Sequence, residues 1–506
     1  APQRARAHRL QRERSPRVED SVSTHPKKYN VVLMNAPYIV PPNKTASDAY
    51  RARYVSAHRR FGMGVCFTER AFELTVPGGF VAEITANAFM KREYGKALVE
   101  QVLPHYDMTN VIDTSGAYIP GHGTPTVILA SRNRAPSPDR IRVVQSKRGE
   151  PKAPTDHVGL VWNSIRAGLG LPPEVAPSGA QPIGLAWAKA LAPSVKALAA
   201  ELAGPASGDY AADAAWRAEQ LRASAAWHTT AAALQAFNVR RAYCTGHALP
   251  DDEHLMVSFS RVATELPDGE WFDDVPWAGS GRAVNPCWGS TLTSAQSDRV
   301  RAAVAAVVDL RAIPREQANR TDWIGDIYQG LDDVAREDFA FCQTPWFVSK
   351  LLAELAVEPA LREFGDGATV IDPACGTGHL LLEAFRRTFL RRADPEDGAP
   401  EHLYSTCARM ALSQLAGGDI NPVAAAICRW RMMLAYLDAD PPRSFSSVPD
   451  DLPINVEVAD ALTTERPVGC VDHAKVHPPH ATPVAPARTT RIADALGQFS
   501  LFGDTQ

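Results

Sequence analysis

The chain has 506 residues, enough for two to four domains and a large core. Its 45% hydrophobic and 22% charged residues are ordinary for a soluble globular protein, and a formal net charge of -4 excludes a globally basic nucleic-acid binder. Any DNA contact must come from local basic patches. The cysteines form no Cys-x-x-Cys pair and show no zinc-ligand spacing, which reads as reduced thiols in a cytosol, with no metal site implied. No apolar run approaches membrane-spanning length, and no charged-then-apolar secretory layout is present. Ala1, rather than Met, stands first, as processing, trimming or a gene fragment would leave it.

Residues 1–28 carry Arg4, Arg6, Arg9, Arg12, Arg14, Arg17, Lys27 and Lys28 with almost no apolar residues. Such a segment cannot bury enough surface to offset its ordering entropy, so a disordered arm is expected. It is open whether that arm touches phosphate or is simply solvated. Composition changes at Tyr29. Asn30-Val-Val-Leu-Met34 is a continuous apolar run of strand length, suited to a strand buried on both faces. It ends in Asn35-Ala-Pro-Tyr38, a string that elsewhere would pass for a turn.

Placed after a buried strand, that string resembles the Asn-Pro-Pro-Tyr motif of amino-methyltransferases. The residue types suit that chemistry. An exocyclic purine amine is a poor nucleophile because its lone pair is delocalised into the ring. The Asn35 oxygen and the main-chain carbonyl of residue 36 could accept both amine hydrogens and favour a nucleophilic, sp3-like nitrogen. Tyr38 could stack on a base flipped out of a duplex. Ala36 departs from the family's first Pro; Ala keeps the carbonyl but gives up the fixed φ. The resemblance therefore implies Asn35, Ala36, Pro37 and Tyr38 as catalytic residues.

Downstream, Cys66 to Leu74 reads as an amphipathic helix, Val76-Pro-Gly-Gly79 as a turn and Phe80 to Ile84 as a strand. Thr85-Ala-Asn-Ala-Phe-Met90 follows, an order similar to the region after the catalytic loop in the same family. Asn110–Asp113, Thr124–Ala130 and Ile141–Val144 read as further strands. Arg51, Arg53, Arg59, Arg60, Lys91, Arg92 and Lys96 are candidate phosphate contacts, with solvated helix faces as the plainer reading. Pro138-Asp139 with Gln145-Ser-Lys147 superficially suggests a nuclease signature, but no other acidic residue supports it.

Residues 165–240 are Ala- and Pro-rich, with helical periodicity over Ala186–Leu202 and Tyr210–Phe237. From Val239 to Leu292 the chain is aromatic and turn-rich. Asn285-Pro-Cys-Trp288 mimics a catalytic loop, but no apolar strand precedes it. This largely helical insert lies where a target-recognition module could sit. A helix over Ser297–Leu310 leads to Asp322-Trp-Ile-Gly-Asp-Ile-Tyr328 and then to Thr344-Pro345, which opens a helix over Trp346–Leu355.

Thr369-Val-Ile-Asp-Pro-Ala-Cys-Gly-Thr-Gly-His379 is a strand, a glycine turn and a helix start, an arrangement that lets backbone approach a nucleotide-like ligand. Asp372 to Gly378 resembles the S-adenosylmethionine loop of N6-adenine DNA methyltransferases. The likeness is closest to the large enzymes of type I and type IIG restriction-modification and of BREX phage exclusion. It implies Asp372, Pro373, Ala374, Gly376 and Gly378 as cofactor-binding residues. It adds Thr344 for the methionine end, although a plain N-cap Thr before Pro is the alternative. Asp419 and Ile420, in Gly417-Gly-Asp-Ile-Asn421, would meet the ribose, provided residues 384–411 make a helical excursion. Asp460, ending a strand from Val456, would meet the adenine. From Thr464 a disordered tail is expected, with one short helix near Ala493.

The expected fold is α/β: a seven-stranded, mostly parallel, Rossmann-like class I methyltransferase sheet with a largely helical insert between its halves. The expected division is an arm (1–28), a catalytic half (29–165), an insert (166–300), a cofactor half (301–465) and a tail (466–506). In the enzymes it most resembles, the cofactor motifs precede the catalytic loop; here they follow it. A permuted sheet and a rearranged or truncated gene both explain that order. The resemblance implies a cytoplasmic enzyme that methylates N6 of a flipped adenine in double-stranded DNA. A restriction or specificity subunit or other defence-system proteins are the candidate partners, and no membrane is expected. The rival readings are a methyltransferase for a protein glutamine or an RNA base, and an inactive remnant that binds DNA or a partner.

Overall fold

The computed structural model describes residues 29–119, 123–137, 141–146, 149–150, 152, 158–175, 183–203, 294–307, 322–331, 342–393, 403–439 and 452–463. The basic arm, Pro138-Asp139, the helix expected at 210–237, the 239–292 stretch with Asn285-Pro-Cys-Trp288, and the tail from Thr464 lie outside them.

The strands are β1 (Tyr29–Asn35), β2 (Thr75–Ala86), β3 (Asp107–Asp113), β4 (Thr126–Arg132), β5 (Arg142–Gln145), β6 (Val370–Asp372), β7 (Leu415–Asp419) and β8 (Asn455–Val458). They form one eight-stranded sheet in the order β5-β3-β4-β2-β1-β6-β7-β8. Among the described residues there is one strand more than the seven expected. Only β4 runs antiparallel to its neighbours, β2 and β3. The sheet is therefore mostly parallel and compatible with a class I methyltransferase fold.

The apolar run of β1 explains its central place. Val31 and Leu33 pack into the core on one face, Val32 and Met34 into the core on the other. A strand without a polar face can only sit where helices cover both sides. On the Val32 side lie α1 (Lys44–Arg53) and α2 (Met63–Leu74), through Tyr50, Val65 and Phe67. On the Val31 side lie α7 (Trp346–Phe364), α8 (His379–Arg392) and α10 (Pro422–Ala439). The remaining helices are α3 (Gly159–Gly168), α4 (Ile183–Ala203), α5 (Ser294–Val307), α6 (Asp322–Leu331) and α9 (Tyr404–Ser413). α8 and α9 occupy much of the stretch that had to make the excursion between the Asp372 and Asp419 loops. The Asp322 segment, given no structure from sequence, is α6, and it packs on α4 with the Trp187 and Trp323 rings edge to face at 5.8 Å.

Val76-Pro-Gly-Gly79 is a bulge within β2 rather than a free turn. Tyr29 pairs with Thr75 while Val31 pairs with Phe80, so the intervening residues loop out of the ladder. Gly78 has φ +79, and a Cβ on Gly79 would come within 2.8 Å of the Asn30 carbonyl.

The two halves of the sheet meet at β1 and β6, which pair in parallel, Val31 with Val370 and Val32 with Ile371. Asn30 and Thr369 seal the start of this seam: Thr369 N donates to Asn30 Oδ1 at 2.9 Å, and Asn30 N donates to Thr369 Oγ1 at 3.2 Å. From β1 the chain runs through α2 to β2 on one side; from β6 it runs through α8 to β7 on the other. At such a divergence the connections leave a crevice at the carboxyl ends of the strands.

Candidate active site

Four loops open into that crevice. Asn35 ends β1, Asp372 ends β6, Asp419 ends β7, and Asp460 lies just past the end of β8. Asn35, Ala36, Pro37 and Tyr38 line a single pocket, and Asp372, Pro373, Ala374 and Gly376 line the same one. Thr344, Asp419, Ile420 and Asp460 also belong to its lining. Of the catalytic and cofactor-binding candidates singled out in the sequence, Gly378 alone stands outside the lining. It sits behind the turn with φ +91 as the N-cap of α8, and a Cβ there would meet Cys428 Sγ at 2.6 Å.

The Asp372 loop is held by its own backbone and by the next strand. Ala374 N donates to Asp372 Oδ1 at 3.1 Å, Cys375 N to the Gly418 carbonyl at 2.9 Å, and Gly376 N to Asp419 Oδ2 at 2.8 Å. Gly376 adopts φ +52, a conformation that a Cβ disfavours. Burial pushes the Asp372 carboxyl well above the ordinary carboxylate range, and the nearby Asp419 pushes it further. Burial also raises Asp419, to about 6, against the pull of the Asn421 and Gly376 amides. From behind, Arg431 of α10 donates to the Thr377 carbonyl at 2.8 Å and to Asp322 of α6 at 2.7 Å.

The Asn35 loop is held across the seam. Asn35 Nδ2 donates to Thr344 Oγ1 at 3.1 Å and to the Cys342 carbonyl at 3.4 Å. Its Oδ1 accepts the Tyr38 hydroxyl at 2.7 Å. Tyr38 is thus turned toward Asn35, with its hydroxyl also 3.4 Å from the Ile84 carbonyl. Burial raises the Tyr38 hydroxyl well above its ordinary range, so it remains a donor. Thr344 is not an N-cap: Pro345 takes that position for α7, and the Thr344 oxygen serves Asn35.

Asp460 accepts from the Tyr50 hydroxyl at 3.1 Å and from Leu462 N at 2.9 Å. Sequence reasoning passed over several lining residues. Met63 and Phe67 reach the pocket from α2, and their helical i, i+4 spacing was the available signal. Cys342 and Gln343 precede Thr344, Cys375, His379 and Leu380 lie within or just after the glycine loop, and Ala459 and Ala461 flank Asp460. Only their neighbourhood marked them. Of the basic residues near the loop, Arg53 pairs with Glu73, Arg59 with Glu93 and Lys96 with Glu100. Solvated faces explain those three.

Two carboxylates, Asp419 and Asp460, beside a glycine turn suit a ligand rich in hydroxyl and amine donors. Asn35 and the carbonyl of Ala36, beside a tyrosine ring, suit a planar amine. A family model described as Eco57I restriction-modification methylase matches residues 5–119, and one described as N-6 DNA Methylase matches residues 319–464. The first takes in β1 and the Asn35 loop, the second β6 to β8 and the Asp372 loop. The resemblance is to N6-adenine DNA methyltransferases. A curated relative, "Adenine-specific methyltransferase PglX" of Streptomyces coelicolor (strain ATCC BAA-471 / A3(2) / M145), is 43% identical over 174 residues. That match covers 31% of this chain and spans 14% of the relative's own length. The two matched regions thus lie on either side of the β1–β6 seam. Among the described residues, no helix is long and apolar enough to cross a membrane.

Proposed function

We propose that the chain transfers a methyl group from S-adenosylmethionine to the N6 amine of an adenine flipped out of double-stranded DNA, in restriction-modification or phage defence. One observation carries this reading. The Asn35 loop and the Asp372 loop, distant in the chain, end paired strands and line one pocket. When bound, S-adenosylmethionine supplies an electrophilic methyl group on a sulfonium.

The chain's residues do the rest. Asp419, Asp460 and the Asp372–Gly376 turn hold the nucleoside end of the donor. Asn35 Oδ1 and the Ala36 carbonyl accept the two amine hydrogens, which restores nucleophilic character to the nitrogen. Pro37 keeps the loop extended, and Tyr38 leaves Asn35 to stack on the base. Holding both reactants in one pocket supplies much of the barrier reduction. On this reading the chain is a cytoplasmic methyltransferase domain with the catalytic half first and the cofactor half last. Its partners are double-stranded DNA and a restriction or specificity subunit or other proteins of the same defence system.

Tritium transfer from labelled donor to unmethylated plasmid, with N6-methyladenine identified by mass spectrometry, tests the reading. Asn35→Ala should lower transfer by about a hundred- to a thousandfold, of the order seen when preorganised polar groups at a reacting centre are removed. Donor affinity should be unchanged. Adenine methylation retained in Asn35→Ala would overturn the assignment, and donor binding without transfer to DNA would point to another substrate.

A further inference from the structure

Asn35 has a side-chain amide whose two ends are chemically opposite, and the mechanism uses only the oxygen. Rotated by half a turn, the same residue would present an NH2 group to an amine and repel it. Something must hold the orientation, and the residues that do so lie in the other half of the chain. Asn35 Nδ2 lies 3.4 Å from the Cys342 carbonyl and 3.1 Å from Thr344 Oγ1, 309 residues further on in the latter case. A hydroxyl could serve either end of an amide, but a carbonyl can only accept. Cys342 therefore admits only the NH2 end, and Thr344, whose contact is the shorter, fixes it there. Tyr38 reports the result: its hydroxyl donates to Asn35 Oδ1 at 2.7 Å.

Thr344 itself is 5% exposed and immobilised between Gln343 and the N-cap Pro345 of α7. Gln343 is in turn fixed by its main-chain N donating to Gln329 Oε1 at 2.7 Å and by its Oε1 accepting from Thr377 at 2.9 Å. Thr377 belongs to the glycine turn. Two hydrogen bonds, connected through the Gln343–Thr344 main chain, thus link the Asp372 loop to the amide of Asn35.

We infer that Thr344, with the Cys342 carbonyl, is the positioning element that aims the Asn35 oxygen at the target amine. This rests on the proposed N6-adenine transfer, and it gives Thr344 a role other than contact with the donor. The Thr344 oxygen accepts from Asn35, which leaves its own proton for a further acceptor. Asn35 orientation and donor contact are therefore separable properties of one side chain.

The test compares Thr344→Val, which keeps the branched shape without the acceptor, with Thr344→Ser, which keeps the acceptor without the methyl. Single-turnover transfer at saturating donor should fall at least tenfold in Thr344→Val and recover to within about threefold of wild type in Thr344→Ser. The KM for DNA should change little. A Thr344→Val rate equal to wild type once donor saturates would overturn the inference and leave Thr344 as a donor contact alone. A Thr344→Ser rate as low as that of Thr344→Val would also overturn it, since packing and not the oxygen would then matter.

A second measurement does not depend on catalysis. In protein labelled with 15N at asparagine, the Asn35 NH2 resonances, assigned by their loss in Asn35→Ala, should exchange slowly with solvent in wild type and Thr344→Ser but fast in Thr344→Val. If wild type transfers no methyl group yet shows this pattern, the adenine reading fails while the positioning contact stands. Equal exchange in all three proteins would remove the positioning contact whatever the substrate.

Discussion

The two loops at the seam have been made ready in different ways. The Asp372 loop is finished. Its glycines already hold left-handed angles, the Ala374, Cys375 and Gly376 amides are bonded, and Asp419 accepts from Gly376 with one oxygen and from Asn421 of its own loop with the other. The Asn35 loop is aimed but occupied, because the oxygen meant for a substrate amine accepts the chain's own Tyr38 hydroxyl. One loop is rigid through backbone, the other through side chains that must exchange partners. Changes in the first should therefore fall on donor affinity and stability, and changes in the second on transfer.

The sharpest way to break that contrast is Gly378→Ala. An alanine there would have to hold φ +91 and place its Cβ 2.6 Å from the Sγ of fully buried Cys428. Strain and overpacking together should cost about 2–4 kcal/mol of stability. Donor affinity should drop more than tenfold, although Gly378 does not line the pocket. Chemical denaturation and donor titration measure the two effects. Adding Cys428→Ala should return the overpacking part and leave the backbone strain. If Gly378→Ala kept both stability and affinity, the loop would not be the rigid partner.

Tyr38 probes the other loop and should give a smaller effect. Tyr38→Ala removes the ring that would stack on the base, a loss of about 1–3 kcal/mol. That corresponds to roughly five- to 150-fold in transfer efficiency. Tyr38→Phe keeps the ring and frees Asn35 Oδ1, so it should stay within a few-fold of wild type. Neither change should move donor affinity. Should Tyr38→Phe prove as defective as Tyr38→Ala, the hydroxyl would be part of the chemistry and not a displaceable occupant.

The same contrast explains what the sequence could reveal. The Asp372 loop is a local structure, with strand, turn and helix start contiguous, so glycine spacing and apolar periodicity exposed it together with β6 and α8. The apolar run of β1 likewise announced a central strand. The contacts that complete the Asn35 loop are not local. Nothing in Phe341-Cys-Gln-Thr-Pro345 says that its carbonyl and hydroxyl will face an asparagine 309 residues earlier; only the β1–β6 pairing does. Thr344 before Pro345 read from sequence as a contact for the donor's methionine end, with a helix cap as the alternative that local rules offer; Pro345 takes the cap position, and tertiary hydrogen bonding gives the Thr344 oxygen Asn35 as a partner. The Pro-Gly-Gly string misled for the opposite reason. Its turn chemistry is real, but β1 and β2 pair on both sides of it and absorb it as a bulge. The wider insert gives no comparable signal, since Ala-rich helical periodicity says nothing of what it packs on.

The finest test of the comparison is one of pH. Burial raises Asp419 to about 6. Donor hydroxyls can bond only to lone pairs of the ionised carboxylate with full strength, so the protonated enzyme must lose a proton before it binds well. The sign follows. Affinity should be constant above about pH 7 and weaken as pH falls through 6, by about tenfold at pH 5 if only the ionised form binds. Asp419→Asn should bind weakly and without that pH dependence. Fluorescence or calorimetric titration of wild type and variant between pH 5 and 8 decides the matter. A pH slope that survived in Asp419→Asn would place the titrating group elsewhere in the pocket and weaken the assignment of Asp419 to the ribose.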